Sequence, residues 1–442
     1  MGELISAQPL STSAGHPQRL EAARLRKLQL LGILCGFGAG AWLGAAEAPA
    51  KLVTVGVSPV VISLLMVVGV FLARWSLPAL IRGTSQVRWD IRQAPHLMAW
   101  GVLAGCLWAV ANTITIFAIR DVGLSIAFPV WNINSLIGIA WGFLFFNELR
   151  GTGTLRWLSV VGGAALMFCG AALLALASSA QSSPEHALRG TVAALTAGVL
   201  WGTMYVPYRK AYLTGMNPLS FVAFFTIGDL GTMIVLALSY RGPSVLLHEL
   251  IQAKQALFWL LLGGFVWVIG DLFQQYAAKY VGISRGIPLS NTNQLWGLLW
   301  GILVFGELHG GGSSLYVKVI VGSVLMAAGA GAIALASVHE EEHGRWREAA
   351  EREGKRYDVD ATYLQAGLAG EDANQRSAEP GRRTWLDLGL IVVATAVFVG
   401  LAAVSRPPEI NLDWNAVALL AAAMLIFLVG CGIALWKITR FN

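Results

Sequence analysis

Charge is scarce in this sequence. Asp, Glu, Lys and Arg together make up 13% of 442 residues, while 56% are hydrophobic. Soluble domains carry about 25% charged residues. So little charge cannot cover so much apolar surface in water, which excludes an ordinary soluble fold and leaves lipid as the natural solvent for much of the chain. Cysteine is also rare. Cys35, Cys106, Cys169 and Cys431 each lie inside an apolar run, which argues against a disulfide scaffold or a cysteine metal cluster. The seven histidines fall near loops or termini without ligand spacing, and no phosphate-cradling glycine loop or nucleophile elbow occurs. These absences point away from an enzyme and toward a protein with no cofactor and no resident metal. The net charge of +6 resides at the ends of apolar runs, not on one basic face, so it does not indicate nucleic acid.

What is present is a succession of apolar runs long enough to cross a bilayer, about 20 residues each. They predict helices near 28–48, 57–80, 96–119, 122–147, 155–178, 188–207, 217–240, 256–278, 281–306, 314–337, 385–405 and 414–438. Fifty glycines and 17 tryptophans suit close helix packing and membrane-interface anchoring. The first run has a basic flank like a signal peptide. It reads instead as an uncleaved helix, because it has a counterpart in an internal repeat, and Leu34 before Cys35 does not fit a lipoprotein cleavage site.

Only seven of the 31 basic residues fall on one side of this topology: Lys51, Arg120, Arg189, Arg241, Lys254, Lys318 and Arg406. The positive-inside rule then puts both termini in the cytoplasm. The polar stretch 338–384 also falls inside. Its first half mixes Glu340, Glu341, Glu342, Arg345, Arg347 and Glu348, the pattern of a short solvated helix; its second half, with Gly367, Gly370, Pro380 and Gly381, reads as a linker.

The sequence repeats itself at an offset of 159 residues. Trp108–Glu148 aligns without a gap on Trp267–Glu307, and Gly123, Ser125, Pro129, Asn132, Asn134, Gly138 and Trp141 recur as Gly282, Ser284, Pro288, Asn291, Asn293, Gly297 and Trp300. Upstream, Trp42, Lys51 and Gly69 match Trp201, Lys210 and Gly228. Each copy holds five helices, an odd number, so the second copy is expected upside down relative to the first. Inverted repeats characterise secondary transporters, with the solute site near the midplane between halves. The expected fold is an all-α integral membrane carrier with an inverted 5+5 repeat and an extra C-terminal helix pair. Its parts are a cytoplasmic N-terminal segment 1–27, repeats 28–178 and 179–337, a charged cytoplasmic linker 338–384 and the helix pair 385–438.

Helix periodicity selects the polar faces. Ser125 and Asn132 share a face, as do Ser284 and Asn291, and these four are the first candidates for solute contact. Asn134 and Asn293 lie on the small-residue stripe Gly138/Gly142 and Gly297/Gly301, where an amide acts as packing glue. Trp108, Asn112 and Thr115 form a second face, matched by Trp267, Asp271 and Gln274. An indole beside amides suits a sugar, covering its C–H face while polar groups meet hydroxyls; the indoles could equally fill space between helices. Ionisable groups within the membrane carry a functional hypothesis by default. Asp271, Asp229 and Glu47 are the candidates for proton coupling, with Asp271 either coupling or held in a static pair with Arg285. Glu148 and Glu307 end their helices as symmetry-related interface or gate residues.

The run Trp267-Val-Ile-Gly270-Asp271-Leu-Phe, then Val281-Gly282-Ile-Ser284 and Phe305-Gly306-Glu307, resembles the glucose/ribose uptake transporters of the drug/metabolite transporter superfamily, relatives of the rhamnose–proton symporters. Trp108, Asn112, Val122, Gly123, Ser125 and Glu148 repeat the pattern, and Trp201-Gly-Thr-Met-Tyr-Val-Pro207-Tyr-Arg-Lys210 adds to it. The likeness covers roughly 28–337. It implies a ten-helix carrier of a bacterial inner membrane that takes up a monosaccharide of the glucose, ribose or rhamnose class, driven by protons, with sodium as the other coupling ion. Asp271 stands where the family more often has Asn, and the charged stretch and terminal pair lie outside the ten-helix pattern. The alternative is an exporter or exchanger of another small metabolite, which predicts a more apolar cavity without paired amides.

Overall fold

The computed structural model describes residues 15–51, 58–122, 127, 130–177, 184–306, 312–336, 338, 340–370, 383–406 and 412–441. Among these the chain is all helix, with no strand. The elements are α1 (Gly15–Lys51), α2 (Pro59–Ile81), α3 (Thr84–Gln93), α4 (Leu97–Val122), α5 (Asn134–Phe146), α6 (Thr154–Ala177), α7 (Pro184–Leu213), α8 (Pro218–Arg241), α9 (Pro243–Gln252), α10 (Leu257–Val281), α11 (Ile283–Ser290), α12 (Asn293–Leu299), α13 (Ser313–Leu335), α14 (Glu340–Tyr357), α15 (Ala361–Ala369), α16 (Trp385–Val404) and α17 (Trp414–Thr439). Nine of the described helices are long and apolar enough to span a bilayer, and the protein is a multi-pass membrane protein.

Three of the twelve expected spans differ. The sixth, expected over 188–207, is the longer and more polar α7, whose C-terminal end carries Arg209 and Lys210. The fourth and ninth, expected as continuous helices, are interrupted. In the second copy the chain breaks between α11 and α12 and ends in a π-turn over Trp300–Val304. Pro288 has no N–H to give to the carbonyl four residues back, which opens the ladder. The Ser290 and Thr292 hydroxyls then bond the Ile287 and Leu289 carbonyls, and the Asn291 N–H bonds Ile287 O. The Ile287 and Leu289 carbonyls beside the break are thereby bonded inside the protein, as membrane depth requires. In the first copy the turn over 132–133 precedes α5, and Ser125 and Pro129 lie outside the described residues.

Packing follows the duplication. α1 lies against α10 and α4 against α7, which are equivalent pairs with the copies exchanged. Glycines set the closest approaches. A Cβ at Gly69 would stand 2.1 Å from Leu261 O, and one at its counterpart Gly228 would stand 1.9 Å from Val102 O. A Cβ at Gly105 would meet Phe225 O at 2.0 Å, and at Gly264 it would meet Met66 O at 2.0 Å. Only glycine lets these backbones touch. On α6 and α13, Gly163 meets Gly329 while Gly170 meets Gly322, so each contact is the other with the copies swapped, and the two helices run antiparallel.

The polar stretch differs from the solvated helix and linker expected there. α14 and α15 dock on the end of the bundle that carries Arg209 and Lys210. Glu342, at 0% exposure, takes two 2.9 Å bonds from Arg285 and one from the Leu149 N–H. Trp346 lies under Arg209, whose Cζ is 4.0 Å from its ring. Lys210 pairs with Glu353 at 2.9 Å, and the Tyr363 hydroxyl donates to Asp90 at 3.0 Å. Gly367 abuts Gly215, where any Cβ would collide with backbone. Charge spacing signalled a helix, but the partners lie far away in sequence, so the pattern could not show that this helix is held. α16 packs on α2 and α17 on α1, and both leave most of their apolar surface exposed, as lipid-facing helices do.

Candidate functional site

Each of α4 and α10 carries one stripe at helical spacing. The stripe on α4 runs Gly101, Gly105, Trp108, Asn112, Thr115, and that on α10 includes Gly264, Trp267, Asp271 and Gln274. The glycines press α4 onto α8 and α10 onto α2. Further along the same faces the indoles of Trp108 and Trp267, equivalent residues of the two copies, meet with centroids 4.8 Å apart. Trp201 joins them at 6.0 and 6.4 Å, and Phe225 lies 6.1 Å from Trp108. Such ring pairs each contribute about 0.5–1.5 kcal/mol beyond their burial. The Nε1–H groups of Trp108 and Trp201, and the Thr115 hydroxyl, are buried with no hydrogen-bond partner among the described residues. Buried donors are normally satisfied, and these three are not. Trp42, the counterpart of Trp201, is engaged elsewhere: its Nε1–H donates to Met424 O on α17 at 3.1 Å.

Asp271 is wholly buried, and its partner is Arg74, also at 0% exposure, at 2.8 Å. The static pair that the sequence suggested with Arg285 is not formed, because Arg285 is bound to Glu342. The Arg74 guanidinium also lies over the Phe225 ring at 4.0 Å and the Trp267 ring at 5.4 Å, so it joins the ion pair to the aromatic cluster. Gln275, one turn along α10, donates to Asp271 and accepts from the Tyr212 hydroxyl. A hydrogen-bonded line thus runs from Tyr212, which lines a cavity at the α14/α15 end, to Asp271. Asp229 is 1% exposed, and neither carboxyl oxygen has a hydrogen-bond partner among the described residues; Arg74 is the cation whose charge it feels. Arg74 pairs with Asp271, and its charge also reaches the second buried carboxyl.

The amides meet between the copies. Asn291 donates to Asn134 Oδ1 at 2.9 Å and to Ser135 Oγ at 2.6 Å, clasping the two broken helices together. Asn132, its counterpart, keeps a buried Nδ2 with no partner among the described residues. Asn112 donates to Ser63 at 2.8 Å, and Gln274 donates to Ser290 at 2.5 Å. Ser284 lies elsewhere, at the start of α11, where Glu148 accepts from the Ile283 and Ser284 N–H groups and pairs with Arg209 at 2.7 Å. Gly282 at φ +82° makes that turn, and a Cβ there would strike the carboxylate at 2.8 Å. Glu148 thus caps a helix within the bundle. Ser125, the Glu47 side chain and Glu307 lie outside the described residues.

Several site residues were missed in the sequence. Arg74 looked like an inner-end charge of α2, and nothing in the pattern tied it to a residue 197 positions away. Tyr205, Tyr208 and Tyr212 are spaced three and four apart, a one-face stripe of α7 that periodicity could have revealed, and all three are buried.

Residues 225–354 match the family described as sugar transport protein. Over 228 residues the chain is 24% identical to a Listeria innocua protein provisionally described as a sugar uptake protein, covering 51% of this chain and 75% of that one. It is 25% identical over 210 residues to the glucose uptake protein GlcU of Staphylococcus xylosus, covering 47% of this chain and 68% of the relative. The likeness to sugar uptake proteins that the motifs suggested is therefore shown, at low identity. The family match extends past α13 into α14.

Proposed function

We propose that the protein is a secondary sugar transporter, not an enzyme, that takes up a monosaccharide of the glucose, ribose or rhamnose class across a bacterial inner membrane. The observation that carries this reading is the Trp108/Trp201/Trp267 cluster with its unpaired indole donors, placed where the two copies meet. The indoles supply flat apolar faces, and Trp108 Nε1, Trp201 Nε1, Thr115 and Asn132 supply groups for hydroxyls. Asn112, Gln274 and Asn291 contribute by holding the neighbouring helices, and the sequence-matched Ser125 and Ser284 complete the candidate set.

The copies work as an inverted repeat in alternating access. The swapped glycine contacts of the antiparallel pair α6/α13 support a two-fold axis lying across the helices. Both termini and the docked stretch α14/α15 then face the cytoplasm. Protons drive uptake through Asp229, Asp271 and Arg74. When both acids are ionised, one cation faces two anions; a proton taken by either carboxyl makes the set neutral, which favours its movement through a low-dielectric interior.

The test is uptake of radiolabelled monosaccharides into proteoliposomes with and without an inward proton gradient. Saturable uptake of one sugar, enhanced by the gradient, is expected. A sugar that enters equally with a sodium gradient refutes proton coupling, and no uptake of any sugar shifts the reading to an exporter of another metabolite.

A further inference from the structure

A cavity of about 730 Å³ opens between the bundle and the docked segment. Its walls come from α1, α7, α10, α14 and α15, so the stretch that looked like a linker forms one side of it. Four cations line it, Arg24, Arg209, Lys279 and Arg347, against one acid, Glu21. Arg209 pairs with Glu148 and Arg347 with Glu21 at 2.8 Å, and Arg24 Nε donates to Ala369 O at 3.0 Å. Lys279 is different. It is 7% exposed, and its Nζ has no hydrogen-bond partner among the described residues. The opposite charge it feels is Asp90, which is already engaged by Ser220, Tyr363 and Gln86. A buried ammonium without a hydrogen-bond partner is costly; this one has the Tyr280 ring at 5.9 Å, and Lys279 is among the residues lining a cavity large enough for a small metabolite. The aromatic rings of Trp346, Tyr212 and Tyr280 provide flat surface beside the cations.

We propose that this cavity binds a phosphate-bearing ligand, with Lys279 as its buried anchor and Arg24 and Arg347 at its rim. Such a ligand bridges α10, the helix of Trp267 and Asp271, to α14, and so clamps the segment onto the transporter. The phosphate comes either from a soluble sugar phosphate or from an anionic lipid headgroup, since the cavity lies at the expected cytoplasmic membrane surface. The proposal stands apart from the sugar-uptake reading, because binding is measured without transport.

The experiment uses the full chain in phosphatidylcholine nanodiscs, titrated with glucose 6-phosphate and with inorganic phosphate while tryptophan fluorescence and thermal unfolding are followed. A parallel sample contains phosphatidylglycerol. Saturable glucose 6-phosphate binding identifies the soluble source; stabilisation only in phosphatidylglycerol identifies the headgroup. In either case Lys279→Met weakens binding about ten- to a hundredfold, the loss of one charged hydrogen bond. Arg347→Gln, at the exposed rim, weakens it less. No response to any of the three probes overturns the proposal, and so does binding that neither variant weakens.

Discussion

Replacing Glu342 with alanine leaves the Arg285 guanidinium, 2% exposed, with one hydrogen bond to Ala336 O in place of three to protein acceptors. Removing one partner of a buried pair costs about 3–5 kcal/mol, because the other charge stays desolvated. The cost falls on the docked state of α14, since undocking lets water reach Arg285. The undocked population should therefore rise by about two to three and a half decades. Trypsin reads this directly. Arg352, Lys355 and Arg356 offer cleavage sites on α14, and cleavage of a transiently opened segment tracks its open population when reclosing is fast. Glu342→Ala should be cut at least a hundredfold faster than the wild-type chain at low protease. The paired variant Arg285→Met/Glu342→Met, which strands no charge, should be cut at close to the wild-type rate. Glu21→Ala breaks an ion pair whose side chains are 55–59% exposed. Such pairs contribute about 0–1 kcal/mol, so its cleavage rate should change less than about fivefold. If Glu342→Ala and Glu21→Ala behave alike, the buried pair does not hold the segment.

The same assay has a pH signature. Burial lowers His343 to about 4, so its contribution to docking is complete above its ordinary 6.5 and is lost as pH falls toward 4. Burial raises Asp90 to about 6 against the hydrogen bonds of Ser220, Tyr363 and Gln86 and the charge of Arg82, so its contribution is present at low pH and is lost as pH rises through 6. The two oppose each other between about pH 6 and 4. Asp90→Asn should make acidification loosen the segment, and His343→Gln should make it tighten; matching pH profiles in both variants would refute the assignment. Gly105→Ala and Gly264→Ala each drive a Cβ to 2.0 Å from a backbone oxygen of the neighbouring helix. Both should lower thermal stability by about 1–3 kcal/mol or more, whereas Gly231→Ala, with open space around it, should not. Comparable melting of all three would remove the close-packing argument. Asp229→Asn and Asp271→Asn should each retain sugar exchange across liposomes while losing accumulation against a gradient; accumulation that persists in both places coupling elsewhere.

Most of the architecture was legible because membrane helices announce themselves by length and apolarity, and ten helical segments repeat with one offset. The breaks in the fourth and ninth spans were less so. Pro288 signals a bend, yet a hydropathy run cannot show that Ser290, Thr292 and Asn291 will rebuild the lost bonds and end the helix. The docking of the charged stretch and the partner of Asp271 were hidden for the same reason. Glu342 finds Arg285 57 residues away, and Arg74 finds Asp271 197 residues away, and no local spacing encodes either meeting.

Beyond the repeat itself, the sequence also holds the places where the two copies disagree. Asn112 corresponds to Asp271, Met233 to Arg74, Val70 to Asp229, Ile126 to Arg285 and Ala50 to Arg209. At equivalent places one copy has a neutral residue and the other a charge. The packing differs accordingly. On one side Asn112 bonds Ser63, whose hydroxyl also lies 3.3 Å from Met233 Sδ. On the other side the equivalent positions form the buried pair of Asp271 and Arg74. A repeat with two identical halves has equal reason to open to either face. An ion pair between the copies on one side but not on the other, and a segment docked through Arg285 and Arg209 at one end, make the two sides unequal. The glycine pairs Gly69/Gly228, Gly105/Gly264, Gly163/Gly322 and Gly170/Gly329 are matched between copies; the charges of Arg74, Asp229, Asp271, Arg209 and Arg285 are not. Comparing a duplicated chain with itself therefore separates the packing contacts that the copies share from the places where the two sides differ.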